Sequence, residues 1–332
     1  MGWKGTLRSL IAAQRRIERE SKRRQRELEL EQKRIAKMQE LKQAAHEVEA
    51  YENYIQVLTS IHKNCGEEWD WGKIYSSQPP EKPVRKKIFE KEAQKKLESY
   101  RPNIIDKVLR RDKSRKQKIN KLMELAKRKD ENIYLEALEE YKKNYANWET
   151  THLLAMKILS GDIEAYINVI AEINPFKEIN ELGFAVEFQP INDKILEVTL
   201  YTNGENIVPT EVKTLLRSGK LSVKKMSKTK FYELYQDYIC SATLRVACEM
   251  FALLPIETII ITVVSEILNT KTGHLENRPI LSVAIPRKTL KKLNFAALDP
   301  SDAMDNFIHK MNFRKTKGFA PVERILPSDI KL

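Results

Sequence analysis

The sequence predicts an α+β protein: a long N-terminal helix or coiled coil and a helical middle, followed by a compact C-terminal domain with a mixed sheet around a long buried helix. Three observations predict it. Residues 7–65 contain neither Pro nor Gly. Residues 84–159 are Gly-free, basic and striped with apolar side chains. From Leu182 onward the chain breaks into short β-rich runs flanking one long apolar helix. The predicted divisions are a charged arm (1–66), a Trp-containing loop and Pro-rich linker (67–84), a basic helical domain (85–175) and an α+β domain (176–332).

The arm is helical because nothing in it breaks a helix and because Glu18/Lys22, Glu20/Arg24 and Glu29/Lys33 stand at i,i+4 in the favourable Glu-first order. Leu7, Leu10, Ile11 and Ile17 form a first apolar patch, and residues 19–27 carry none. Leu28, Ile35, Met38, Leu41, Val48 and Ile55 then recur at spacings of three, four and seven, the pattern of a packing seam. Either the arm packs on its own body, or the seam pairs with a second copy or a partner. The unsupported first patch favours pairing.

Gly66 ends the predicted helix. Trp69 and Trp71 read as anchors that hold a loop to a helix, with base stacking as the alternative. Residues 76–83, SSQPPEKP, read as a linker. Helices are expected over 84–100 and from Pro102 to about residue 128, then again from Tyr134.

In the last domain, residues 184–189 and 195–201 read as strands, with 207–208 and 221–225 as further short ones. Ser227 caps a helix that Pro255 stops. Its second half is apolar nearly all round, so it should be buried. Residues 258–264 form a β-branched run typical of a buried strand, and 280–285 return it across the turn at 269–273. A short helix around 304–310 and an irregular tail are expected to finish the chain.

Charge is concentrated. The net charge is +13, and residues 85–130 hold 18 Lys+Arg against 7 Asp+Glu, a local +11. Such a field attracts phosphates, because neutralising them releases condensed counterions. The expected partner is nucleic acid or an acidic protein surface. Arg110, Arg111, Lys113, Arg115, Lys116 and Lys118 form its centre.

Three cysteines (Cys65, Cys240 and Cys248) in no paired spacing argue against a disulfide framework and for a reducing, cytoplasmic setting, with Cys240 and Cys248 as small core residues. The apolar patch at 10–13 is too short for a secretory signal, and no run approaches a membrane span. No P-loop, Rossmann glycine pattern, nucleophile elbow or zinc-protease motif occurs. His62 and Cys65 stand at a ligand-like spacing, but no second pair completes a zinc site. No cofactor or resident metal is expected.

One catalytic constellation stands beside this reading. Glu211-Val212-Lys213 is an E-x-K step, with Asp193 and Glu197 upstream and Tyr235-Gln236-Asp237-Tyr238 on the long helix. Their order resembles the core of the PD-(D/E)xK nuclease family. The resemblance implies that Asp193 or Glu197 and Glu211 bind Mg²⁺ while Lys213 helps activate water. Separately, the helix ending Leu253-Leu254-Pro255, the β-branched strand, the Thr272-Gly273-His274 turn and Leu281-Ser282-Val283 resemble a tail on uncharacterised coiled-coil proteins of bacterial restriction and phage defence. The expectation drawn from the residues themselves is a non-enzymatic binding or scaffold protein, with the Mg²⁺-dependent nuclease as its rival.

Overall fold

The computed structural model describes residues 3–99, 112–202 and 204–330; for 3–28, 112–116, 119 and 204 it describes the backbone alone. The chain forms two compact units: Met1–Glu68 with Ile170–Leu332, and Trp69–Val169. The arm thus falls in one unit with the α+β domain, and the unit boundaries lie at 68/69, inside the predicted loop-and-linker segment 67–84, and at 169/170.

In the first unit, helix α1 (Trp3–Ser60) runs without a break and ends in the 3-10 turn Ile61–Lys63. A six-stranded mixed sheet forms the domain. Its strands are β1 (Phe184–Pro190), β2 (Ile195–Thr202), β5 (Thr258–Asn269), β6 (His274–Pro286), β7 (Ile308–Arg314) and β8 (Gly318–Ala320), in the spatial order 1-2-5-6-7-8. The β2–β5 pair is parallel and the others are antiparallel. A parallel pair needs a crossover. Here the crossover contains a separate hairpin, β3 (Glu211–Leu215) with β4 (Leu221–Lys225), and then the long helix α7 (Lys228–Leu253). Four further helices are short: in the second unit α2 (Trp71–Tyr75) and α3 (Ile88–Glu98), and in the first α6 (Lys177–Glu181) and α8 (Arg287–Leu290).

Helix α7 forms where its local signals predict. The Ser227 side chain accepts from the Lys230 N–H at 3.3 Å. Pro255 forces Leu254 into extended geometry (φ −117°, ψ 146°), which ends the helix. From Tyr238 to Ala247 every residue is buried, because α1 and its 3-10 turn pack on α7, which also contacts β5 and β8. Thr243 satisfies its hydroxyl on the Ile239 carbonyl at 2.8 Å. In the sheet, Ile259, Ile260, Ile261 and Val263 of β5 are fully buried, as a strand covered on both faces requires. Thr262 and Ser282 share a hydrogen bond at 3.0 Å between β5 and β6.

Several expectations change. Residues 304–310 do not form a helix. The 3-10 turn Asp302–Asn306 leads into β7, and the tail predicted as irregular supplies β8. Gly318 makes the entry to β8 possible: its φ is +76°, and a Cβ there would meet the Tyr232 ring at 2.7 Å. Residues 207–208 form no strand, whereas 211–215 do.

The second unit is helical. α4 (Asp112–Leu159) is one continuous helix of 48 residues, where a break near 128–134 was expected. No Gly or Pro falls in that stretch, and Asp130 serves the neighbouring helix there instead. α2 and α3 both pack along α4. A further helix, α5 (Ile163–Ile173), spans the boundary between the units.

The cysteine expectation is overturned. Cys65, just past α1, and Cys248, on α7, form a disulfide with Cα atoms 5.9 Å apart, within the normal bonding range. Cys240 is a buried free thiol, as predicted. The cysteines therefore no longer argue for a reducing compartment. Among the described residues, no helix is long and apolar enough to cross a membrane.

Candidate nucleic-acid interface

The helical pair α3–α4 presents the described part of the basic window. The buried Asp130 of α4 fixes α3 by accepting the N–H groups of Phe89 (3.2 Å) and Glu90 (2.8 Å), a carboxylate set against the positive end of a helix. Ala93 faces inward, and Lys129 Nζ lies 3.9 Å from the centroid of the Phe89 ring. With that face used for packing, Lys91, Lys95 and Lys96 on α3 and Lys118, Lys121, Lys127 and Arg128 on α4 are exposed. Between the helices lies a groove of about 280 Å³, lined by the apolar Phe89, Ala93, Leu122, Leu125 and Ala126 together with Glu92, Lys96 and Lys129. Lysines spaced along two packed helices can follow a phosphate backbone as point charges without reading bases.

Of the predicted centre, Arg110 and Arg111 lie outside the described residues. Lys113, Arg115 and Lys116 fall on the first turns of α4, with side chains outside the description, and Lys118 is exposed.

The tryptophans behave as anchors. Trp71 is buried and stacks on Trp69 with ring centroids 5.2 Å apart. The segment predicted as a linker is held on α4: Trp148 Nε1 donates to the Ser77 carbonyl (3.2 Å) and hydroxyl (3.0 Å), and Tyr75 stacks on His152. In the sequence Trp148 stands only as one more apolar position of the helix expected from Tyr134.

The four residues of the nuclease constellation stand on three different elements. Glu211 and Lys213 sit on β3, in the two-stranded hairpin. Asp193 lies in the β1–β2 turn and Glu197 on β2 of the six-stranded sheet, 3.9 Å from Arg324. Lys213 Nζ donates to Glu47 of α1 at 3.1 Å, so its ammonium holds the arm against the hairpin. Gln236 turns to the Met311 sulfur. Two carboxylates share a divalent cation only when their oxygens converge within bonding distance of it. Among the described residues, no group of three or more His, Cys, Asp or Glu side chains is so placed.

The predicted partner seam divides. Val48 and Leu58 are buried, Leu41 and Ile55 are partly buried, and Leu41 packs on Gly219 of the β3–β4 turn. These positions bind the protein's own body. Ile35 and Met38 are 50% and 56% exposed, and the Leu28 side chain lies outside the description.

Where α1 meets α7, buried polar groups form a joint that the sequence did not reveal. His62 Nδ1 lies 2.7 Å from Ser241 Oγ, which also accepts the His62 N–H at 3.0 Å. Burial lowers the His62 pKa and favours the neutral ring. Ser241 is fully buried and His62 nearly so, which closes the pair to a substrate. One turn further along α7, Arg245 Nε donates to Glu249 at 2.8 Å, and Glu249 accepts the Gly66 N–H at 3.0 Å.

Asp237 sits near this joint. Burial, with Asp299 close by, pushes its pKa from 3.8 up to about 6 against the pull of a Ser301 hydrogen bond. The folded state therefore holds this proton more tightly than the unfolded chain. The associated stability is full below about pH 4 and is lost as pH rises through about 6. Asp237→Asn should raise stability at pH 7.5 by about 1–2 kcal/mol, allowing for solvent screening, and flatten the dependence between pH 4 and 6. Urea midpoints across that range would show it; an unchanged slope would remove Asp237 as its source.

No protein-family model, curated protein or solved structure matches the chain.

Proposed function

We propose that the protein is a non-enzymatic binding and scaffold protein that holds nucleic acid on its basic helices and associates with a partner through its N-terminal arm. One observation carries the reading: the described part of the +11 window lies largely on two packed helices, α3 and α4, whose facing sides carry the buried Ala93 and Asp130 and whose described lysines are exposed. No cofactor enters the proposal. The nuclease reading ranks second, because Asp193 lies in a turn, Glu197 on the six-stranded sheet and Glu211 with Lys213 on the separate hairpin, and the Lys213 ammonium is engaged by Glu47.

Fluorescence anisotropy with labelled duplex and single-stranded DNA tests the proposal. Binding should weaken steeply with salt, since each neutralised phosphate contributes about −0.9 to the log–log slope on duplex. Arg110, Arg111, Arg115 and Lys116 all changed to Glu should reduce affinity at least ~100-fold and flatten that slope by about 3–4. Circular dichroism should be unchanged. Unaltered affinity in this variant would sink the nucleic-acid reading. Salt-sensitive capture of an acidic protein with no DNA binding would move the basic window to a protein partner.

A further inference from the structure

Residues 29–39 of α1 are exposed, and packing on the protein's own body starts at Glu40, whose carboxylate meets Lys220 at 3.4 Å, and at Leu41. The apolar pattern N-terminal to that point has a property of its own. At a 3.5-residue repeat, Leu7, Gln14, Ser21, Leu28 and Ile35 take one core position, and Leu10, Ile17, Arg24, Glu31 and Met38 take the other. Set antiparallel to itself about a centre between Lys22 and Arg23, this series is self-complementary. Leu7 falls opposite Met38, Leu10 opposite Ile35, and Ile17 opposite Leu28. The polar positions also meet each other, Gln14 opposite Glu31 and Ser21 opposite Arg24. Shifting the register by one heptad in either direction places Leu or Ile against Glu, Lys, Ser or Arg. A parallel, in-register pair would stack Arg24 on Arg24 and Glu31 on Glu31 inside the seam, where like charges repel strongly.

We propose that the partner of the arm is a second copy of this chain, with residues 7–38 of the two α1 helices paired antiparallel. This rests on the scaffold reading above and names its partner. The overlap is about 48 Å of helix. It ends two residues before α1 begins to pack on its own hairpin, so both contacts coexist on one helix.

Light scattering on the full chain at roughly 50 µM should give twice the 38.7 kDa of one chain. Ile35→Asp with Met38→Asp, both at exposed positions, should give a folded monomer. Orientation is read by a spin label on Ala12→Cys; of the native cysteines, Cys65 and Cys248 are bonded and Cys240 is buried. The antiparallel register separates the two labels by more than about 30 Å, and a parallel pair by about 20 Å. A dimer with the short distance overturns the register and leaves the scaffold reading standing. A monomeric wild type, or a dimer that survives both aspartates, overturns the second-copy proposal, while the DNA titrations judge the scaffold reading independently.

Discussion

Arg245→Met should destabilise the unit containing α7 by roughly 3–5 kcal/mol. Arg245 and Glu249 are 8% and 9% exposed on α7, a helix whose residues are buried without a break from Tyr238 to Ala247. Their 2.8 Å pair is extended by Glu178, 3.2 Å from Arg245 Nη2, and by the Gly66 N–H. Removing the guanidinium leaves the Glu249 carboxylate desolvated, with the Gly66 N–H still donating to it. The cost is that of stranding a buried charge more than that of losing one ion pair. The double variant Arg245→Met/Glu249→Met strands no charge and should therefore be more stable than Arg245→Met alone. Urea denaturation of the three proteins measures this; a double variant no better than the single would show that Arg245 acts by packing its alkyl chain.

Arg245 and Glu249 stand at i,i+4 in the sequence, and spacings this short are what a sequence shows readily. Local signals placed α7 between Ser227 and Pro255, and a β-branched run placed β5, because capping, proline sterics and β-branching act over a few residues. α1 was legible because nothing in 7–65 breaks a helix. What covers an apolar stripe was not legible. Ile35 and Val48 belong to the same recurring series, yet one is half exposed and the other buried against the chain's own hairpin and α7. β7 was missed because Ile308–Arg314 shows no clean alternation, and its place in the sheet depends on pairing with β6 on one side and, through the turn to Gly318, with β8 on the other. The placement of the E-x-K step was not legible for a related reason. Order along the chain put Glu197 and Glu211 close together, while the crossover assigned them to different sheets.

The disulfide was the least legible feature, since 183 residues separate Cys65 from Cys248 and only the folded chain brings them together. Breaking it should have a large effect for the same reason. A cross-link closing so long a loop restricts the unfolded ensemble strongly, and its loss typically costs about 2–5 kcal/mol. Cys65→Ser should therefore lower the thermal midpoint by several degrees, and a dithiol reductant should lower the wild-type midpoint to a similar value. The reductant should leave Cys65→Ser unaffected, because Cys248 has then lost its partner and Cys240 is a buried free thiol, so no bond remains to reduce. Thiol titration gives a second readout. The folded oxidised protein should show no fast-reacting thiol, and reduction should release two. The bond joins the end of α1 to α7 beside the His62–Ser241 contact and the Gly66–Glu249 hydrogen bond. Its loss should thus speed amide exchange first at residues 61–66, where those contacts hold the end of the arm to the domain. Equal midpoints with and without reductant in the wild type would mean that the hydrogen bonds alone secure this joint.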